Sequence, residues 1–128
     1  MTLSLVVDPA DPTPPYEQLR RQIADLIAGG ALSPGARLPP VRQLAGDLGL
    51  AVGTVARTYR ELEQHHLVVS RRGGGTRVAA GGSVAPVRRE ALLTELTTAY
   101  VARARALGFD DEEIRQAVRR SGEVVPEG

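Results

Sequence analysis

The side chains with the most evident chemistry in this 128-residue chain are arginines set beside small residues. They are Arg42, the group Gly53, Thr54 and Arg57, and the run Arg71-Arg72-Gly73-Gly74-Gly75 with Arg77 just beyond it. A guanidinium carries a planar fork of donors that fits phosphate, while a threonine hydroxyl or bare glycine backbone reaches base edges and sugar–phosphate strands. That is the chemistry of polyanion recognition. Covalent chemistry has little to work with: all sixteen basic residues are arginine, so no amine can form a Schiff base, and without cysteine there is no thiolate or cysteine metal cluster. His65 and His66 are adjacent, so on a helix they point different ways, and no second cluster accompanies them; no metal and no cofactor are expected. Gly73–Gly75 lacks the Lys-Ser/Thr pair and following helix of a nucleotide-binding loop. No Ser/His/Asp or paired-carboxylate arrangement stands out, so the expectation is a protein without catalytic residues.

Charge is distributed to match. The net value is only +1, yet residues 16–78 hold nine arginines against five acids. Residues 1–15 hold two acids and no base, and residues 79–128 hold seven arginines against eight acids. The positive field therefore belongs to the middle of the chain. Blander readings compete: Arg42 as a solvated surface side chain, and the glycine loop as a floppy hairpin tip. The apolar run Leu3–Val7 is too short for a signal segment or a membrane span, so a cytoplasmic protein with no membrane partner is expected.

Helices and a hairpin must position these residues. Pro14 is barred from helical geometry by the proline after it, and Pro15 suits the first helical position. A helix then places Tyr16, Leu19, Ile23 and Leu26 on one face, with Ile27 beside them, and stops at Gly29-Gly30. A turn delivers a short extended piece, Ala36–Leu38. After Pro39-Pro40 a helix of about two turns puts Val41, Leu44, Ala45 and Leu48 inward. Gly49-Leu50-Ala51 breaks it, and the next helix places Val52, Val55, Tyr59, Leu62 and His66 on its buried stripe. Two short helices joined by a glycine-containing turn make a helix-turn-helix. Leu67–Ser70, the loop Arg71–Gly75 and the return Thr76–Val78 add a hairpin wing. The expected fold is thus mainly α with a small β-hairpin wing: a winged helix-turn-helix followed by a two-helix dimerisation tail.

That tail follows a stretch of linker composition at 80–85. Leu93, Leu96, Tyr100, Ala104 and Leu107 line one side of a long helix, widened by Leu92 and Val101; Asp110–Glu113 has the form of a capping box opening a second helix with Ile114, Ala117 and Val118 inward. Two helices alone cannot bury such stripes, and a self-paired bundle is the common solution. The expected organisation is an N-terminal extension over 1–11, a winged helix over 12–79, the linker over 80–85, a two-helix dimerisation region over 86–122 and a C-terminal tail over 123–128.

The span PPYEQLRRQIADLIAGGALSPGARLPPVRQLAGDLGLAVGTVARTYRELEQHHLVVSRRGGGTRV resembles the N-terminal winged helix of GntR-type bacterial transcription regulators. Its specific parts are YEQLRRQI, LSPGARLPPVRQLA, TVARTYRELE and the GGGT wing. Residues 79–128 are too few for the large ligand-binding domains of most GntR subgroups, and the aminotransferase-like domain of another needs a lysine this chain lacks. A linker plus two helices is similar to the YtrA subgroup, whose short helical tail serves dimerisation.

The resemblance implies a sequence-specific DNA-binding transcriptional regulator, a repressor in the family's usual mode, acting as a homodimer on an inverted-repeat operator. It places Arg42, Thr54 and Arg57 at DNA; the bare backbone at Gly53 and the basic glycine wing add Gly53, Arg71, Arg72, Gly73 and Gly74, and the tail's apolar stripes put Leu92, Leu93, Leu96, Tyr100, Leu107, Ile114 and Val118 at the dimer contact. Its partners would be double-stranded DNA, a second copy and a small-molecule effector not identified by the sequence. The alternative is a winged helix used as a protein-interaction module. Arg60 and Gln64 fall on an exposed face, or Arg60 pairs with Glu63. The chain also departs from the family pattern. Ala51 replaces a Ser or Asn cap, at a cost of roughly 1 kcal/mol. Val52 and Gly53 replace polar or arginine side chains, and Ala56 stands where relatives carry an arginine, so readout by the first turn is reduced.

Overall fold

The computed structural model describes residues 4–80 and 86–124. Apart from Ala80, the expected linker lies outside the described residues, as do residues 1–3 of the extension and 125–128 of the tail. The elements in chain order are α1 (Pro15–Ala28), α2 (Val41–Leu48), α3 (Val52–Gln64), β1 (Val68–Arg71), β2 (Gly75–Val78), α4 (Pro86–Ala106) and α5 (Asp111–Val124). The chain divides into two compact units, residues 1–89 and 90–128.

In the first unit Pro14 and Pro15 begin α1 as their geometry requires, with Glu17 in the first turn where an acid favours the helix dipole. Leu19, Ile23 and Ile27 recur every fourth residue and are buried. They share one core with Leu32, Leu38, Leu44, Ala45, Val55, Tyr59, Leu62, Val68 and Val78. Full burial of each large aliphatic side chain contributes roughly 1.5–3 kcal/mol. Gly49 closes α2 with φ 67°, a conformation that costs a side chain dearly and glycine little, and Leu50 N–H donates back to the Ala45 carbonyl at 2.9 Å. The chain is thereby turned directly into α3.

The buried stripe of α3 is Val55, Thr58, Tyr59 and Leu62, which corrects the expected one at both ends. Val52 is 44 % exposed because it is the first helical residue, before the stripe turns onto the core. His66 is exposed and lies beyond the helix at φ 60°; His66 N–H donates to Glu63 and Leu67 N–H to Leu62, a left-handed cap in which histidine takes glycine's place. Thr58 is fully buried without penalty, since its hydroxyl donates to the Tyr16 and Thr54 carbonyls at 3.0 and 3.1 Å. Tyr59 OH reaches the Pro39 carbonyl at 2.7 Å, tying α3 to the chain entering α2, and burial raises its pKa.

The wing is antiparallel, with Val68 opposite Val78 and Arg71 opposite Gly75, so each strand takes in one residue expected in the loop. Ala36–Leu38 adds a short third edge: Leu38 N–H donates to Thr76 and Val78 N–H to Ala36, both at 2.8 Å.

Residues 5–8 lie along α1. Leu5 is buried in the core. The Gln22 amide exchanges two bonds with the Val6 backbone at 3.0 and 2.6 Å, and the Gln18 amide does the same with Asp8 at 2.9 and 3.0 Å. Two glutamine side chains thus satisfy backbone as a neighbouring strand would.

In the second unit Glu113 N–H donates to Asp110 Oδ1 at 2.8 Å and Asp110 N–H to Glu113 Oε1 at 3.2 Å, the capping box the sequence indicated. Arg105 forks onto Asp111 at 2.9 and 3.2 Å, linking the end of α4 to the start of α5 and holding the Asp111 carboxyl below its ordinary pKa. No helix among the described residues is long and apolar enough to cross a membrane.

Replacing Gln18 and Gln22 by Ala together is expected to free residues 5–8 from α1. Hydrogen exchange should show the Val6 and Asp8 amides losing protection while the amides of Ile23 and Leu62 keep theirs.

Candidate nucleic-acid interface

Three stretches of the first unit carry the expected site residues. Arg42 is the second residue of α2, exposed, at a helix start with no side-chain cap. The first helical bond received by the Pro40 carbonyl comes from Leu44, so the N–H groups before it are not held by a cap and face outward with the positive end of the dipole.

On α3, Gly53 and Arg57 are exposed and Thr54 is half-buried, opposite the Val55/Tyr59/Leu62 stripe. Ala51 provides no cap, as its methyl side chain dictates. A Cβ built on Gly53 would meet no atom within 4 Å. Nothing within the folded chain calls for glycine there, so the bare backbone is available to whatever approaches from outside. The Arg57 guanidinium lies over the Tyr16 ring, 3.7 Å from Cζ to centroid.

On the wing, Arg71, Arg72 and Gly73 are exposed at the tip and Gly74 is half-buried, its N–H closing the turn on the Arg71 carbonyl at 3.0 Å. The wing is anchored to α3 by Glu63, whose carboxylate accepts the Ser70 N–H at 2.8 Å. Glu63 therefore braces the wing, and the Arg60–Glu63 pair considered from the sequence is absent among the described ion pairs. Arg77 is drawn away from the tip, donating to the Gly35 carbonyl at 3.1 Å.

Two further residues belong with this surface. Arg37 lies across the wing: its Nε would sit 3.0 Å from any Cβ at Gly75, whose φ of 69° also favours glycine. Tyr16 supports Arg57. The signal for Arg37 was its place in the extended Ala36–Leu38 piece, opposite Arg77; Tyr16 reads in the sequence only as an apolar helix position. Among the described residues of 16–78, Arg20 alone is ion-paired, to Glu17. Arg37, Arg42, Arg57, Arg71 and Arg72 keep their charge without a carboxylate partner, the condition for a field that attracts polyanions.

The residues expected at a dimer contact lie in the second unit. Leu93, Leu96, Tyr100, Leu107 and Val118 are exposed, Leu93 by 64 % and Leu107 by 68 %, and Leu92 is half-buried. Ile114 differs, being only 7 % exposed within the single chain. It lines a cleft of about 580 Å³ between α4 and α5 with Tyr100, Ala104, Leu107, Phe109 and Ala117. Phe109, exposed beside Gly108, joins the apolar surface unforeseen.

Comparison with known proteins bears on the whole arrangement. The family model described as bacterial regulatory proteins, gntR family, matches residues 15–78. The HTH-type transcriptional regulator Rv1152 of Mycobacterium tuberculosis is 44 % identical over 105 residues, covering 82 % of this chain and 83 % of that one. The HTH-type transcriptional repressor YtrA of Bacillus subtilis is 29 % identical over 114 residues, 88 % of each chain. Among solved structures, the AraR DNA-binding domain in complex with operator ORX1 superposes with a TM-score of 0.52 at 28 % identity, covering 59 % of this chain and 93 % of that one. With a winged helix, a two-helix tail and these relatives, the chain belongs to the GntR family of bacterial transcriptional regulators, in its YtrA-like branch.

Proposed function

We propose that the chain is a cytoplasmic homodimeric repressor that binds double-stranded DNA at an inverted repeat. The carrying observation is the outward face of α3 with its flanks: Gly53 open, Thr54 and Arg57 beside it, Arg42 at an uncapped helix start, and Arg71-Arg72-Gly73-Gly74 at the wing tip. A winged helix of similar fold has been solved on operator DNA, which supports DNA as the polyanion. α3 enters the major groove, Thr54 reads base edges and Arg57 takes a phosphate or base. Arg42 holds the backbone through charge and helix N–H groups, and the wing reaches the adjacent strand or minor groove. With no polar side chain at Ala51, Val52 or Gly53, phosphate contacts carry an unusually large share of the binding.

Residues 12–79 form the DNA-binding domain and 86–122 pair with a second copy. The exposed Leu93, Leu96, Tyr100, Leu107 and Val118, flanked by Leu92, supply the dimer contact, and Ile114 sits behind them. Two-fold symmetry then presents two α3 helices to half-sites about one helical turn apart. The repressor assignment follows the relative YtrA.

Selection of bound duplexes from a random pool should yield an inverted repeat. On that duplex Arg42→Ala and Arg57→Ala should each lower the slope of log affinity against log salt by about 1.8, one phosphate contact being lost from each protomer; a salt-independent wild type would instead mark a protein-interaction module. Gly53→Ala should raise unfolding stability by up to about 1 kcal/mol, because alanine is the better helix former, yet weaken operator binding. Gain of affinity with gain of stability would rule out close backbone approach at Gly53. Removal of residues 86–128 should give a monomer by light scattering with much weaker operator binding.

A further inference from the structure

Arg57 is exposed on α3, and its guanidinium is stacked on an aromatic ring from another helix rather than paired with an acid. The difference matters chemically. A carboxylate would neutralise the charge and occupy the donors along the guanidinium edge. A ring face takes up only the flat side, leaving all five N–H donors in the plane free for a bidentate bond to phosphate. Among the described residues no carboxylate is ion-paired to Arg57.

The backbone that carries the ring is itself tied to α3. Tyr16 is the second residue of α1 and half-buried, and its carbonyl accepts the hydroxyl of Thr58 at 3.0 Å. Thr58 is fully buried and immediately follows Arg57. Two bonds of different kinds, a stack and a hydrogen bond, therefore join the same turn of α3 to the same residue of α1. An arginine on an exposed helix face ordinarily has many rotamers and must give them up on binding. Here part of that ordering is in place before any ligand arrives.

We propose that Tyr16 is a positioning residue for DNA binding, its ring holding Arg57 flat so that the guanidinium edge meets a backbone phosphate. This rests on the DNA-binding reading of the α3 face. Tyr16 acts through its ring rather than its hydroxyl, and it contributes orientation rather than charge.

The test uses the full chain and the duplex it selects. Tyr16→Phe should bind as the wild type does. Tyr16→Leu should weaken binding about five- to thirtyfold, the scale of two exposed cation–π contacts, one from each protomer, with the salt slope unchanged because Arg57 still carries its charge. Arg57→Ala should lower that slope, and adding Tyr16→Leu to Arg57→Ala should weaken binding no further. In the unaltered protein the Arg57 side-chain protons should resonate upfield of the ordinary arginine position through the ring current, a measurement that decides alone if Tyr16→Leu does not fold. An ordinary arginine shift, or equal losses from Tyr16→Leu with and without Arg57, would overturn the role of Tyr16 while leaving DNA binding intact. A Tyr16→Phe variant weakened like Tyr16→Leu would overturn it too, placing the function in the hydroxyl. A wild type that binds no duplex in a salt-dependent way would remove the DNA reading and this proposal with it.

Discussion

Burial of Val55, Thr58, Tyr59 and Leu62 in the core that α3 shares with α1 decides which side of α3 faces water. The α-helical period leaves no freedom once those four are inward: Gly53, Thr54 and Arg57 must lie outward. Two polar bonds sharpen what the apolar contact begins. Thr58 fixes the rotation of α3 against the start of α1, and Tyr59 fixes it against Pro39 at the entrance to α2. The Tyr59 bond cannot be given up without leaving a buried hydroxyl unsatisfied, which costs more than the bond itself contributes, whereas the Thr58 hydroxyl also has the Thr54 carbonyl.

The wing depends on the same helix. Glu63 sits one residue past Leu62, and its carboxylate receives the Ser70 N–H, so the hairpin leaves α3 at a set angle. The edge piece at Ala36–Leu38 then holds the other strand through Thr76 and Val78. What remains unsupported is the tip, where arginines flank glycines and have no acid to meet. A braced base with a basic, locally uncompensated tip suits a surface that must reach a fixed, highly charged partner.

The tail obeys a different economy. The winged helix hides most of its large apolar side chains within one chain, Val6, Val52 and Val69 excepted, whereas Leu93, Leu96, Tyr100, Leu107, Phe109 and Val118 remain exposed on the tail. Such a concentration of large apolar groups on two helices is the usual signature of a surface that awaits a partner. The capping box at Asp110–Glu113 and the Arg105–Asp111 fork order the corner between α4 and α5 within one chain.

Much of this was legible from residue order. Prolines at 14, 15, 39 and 40, the spacing of Leu19, Ile23 and Ile27, Gly49 between two short helices, and a glycine-rich arginine loop all act locally, over one or two turns of chain. Local signals therefore sufficed for the element order, the helix-turn-helix and the outward placement of Gly53, Thr54 and Arg57. Tertiary structure decided what depends on residues remote in sequence. Thr58 reads as polar and proves fully buried because a carbonyl 42 positions away accepts its hydroxyl. Val52 fits the apolar pattern yet is exposed because, as the first helical residue, it precedes the part of the stripe that meets the core. Gln18 and Gln22 give no sign of their bonds to Val6 and Asp8, and Arg57 gives none of the ring beneath it. These pairings arise only when separate segments are brought face to face, and no periodicity within either segment encodes them.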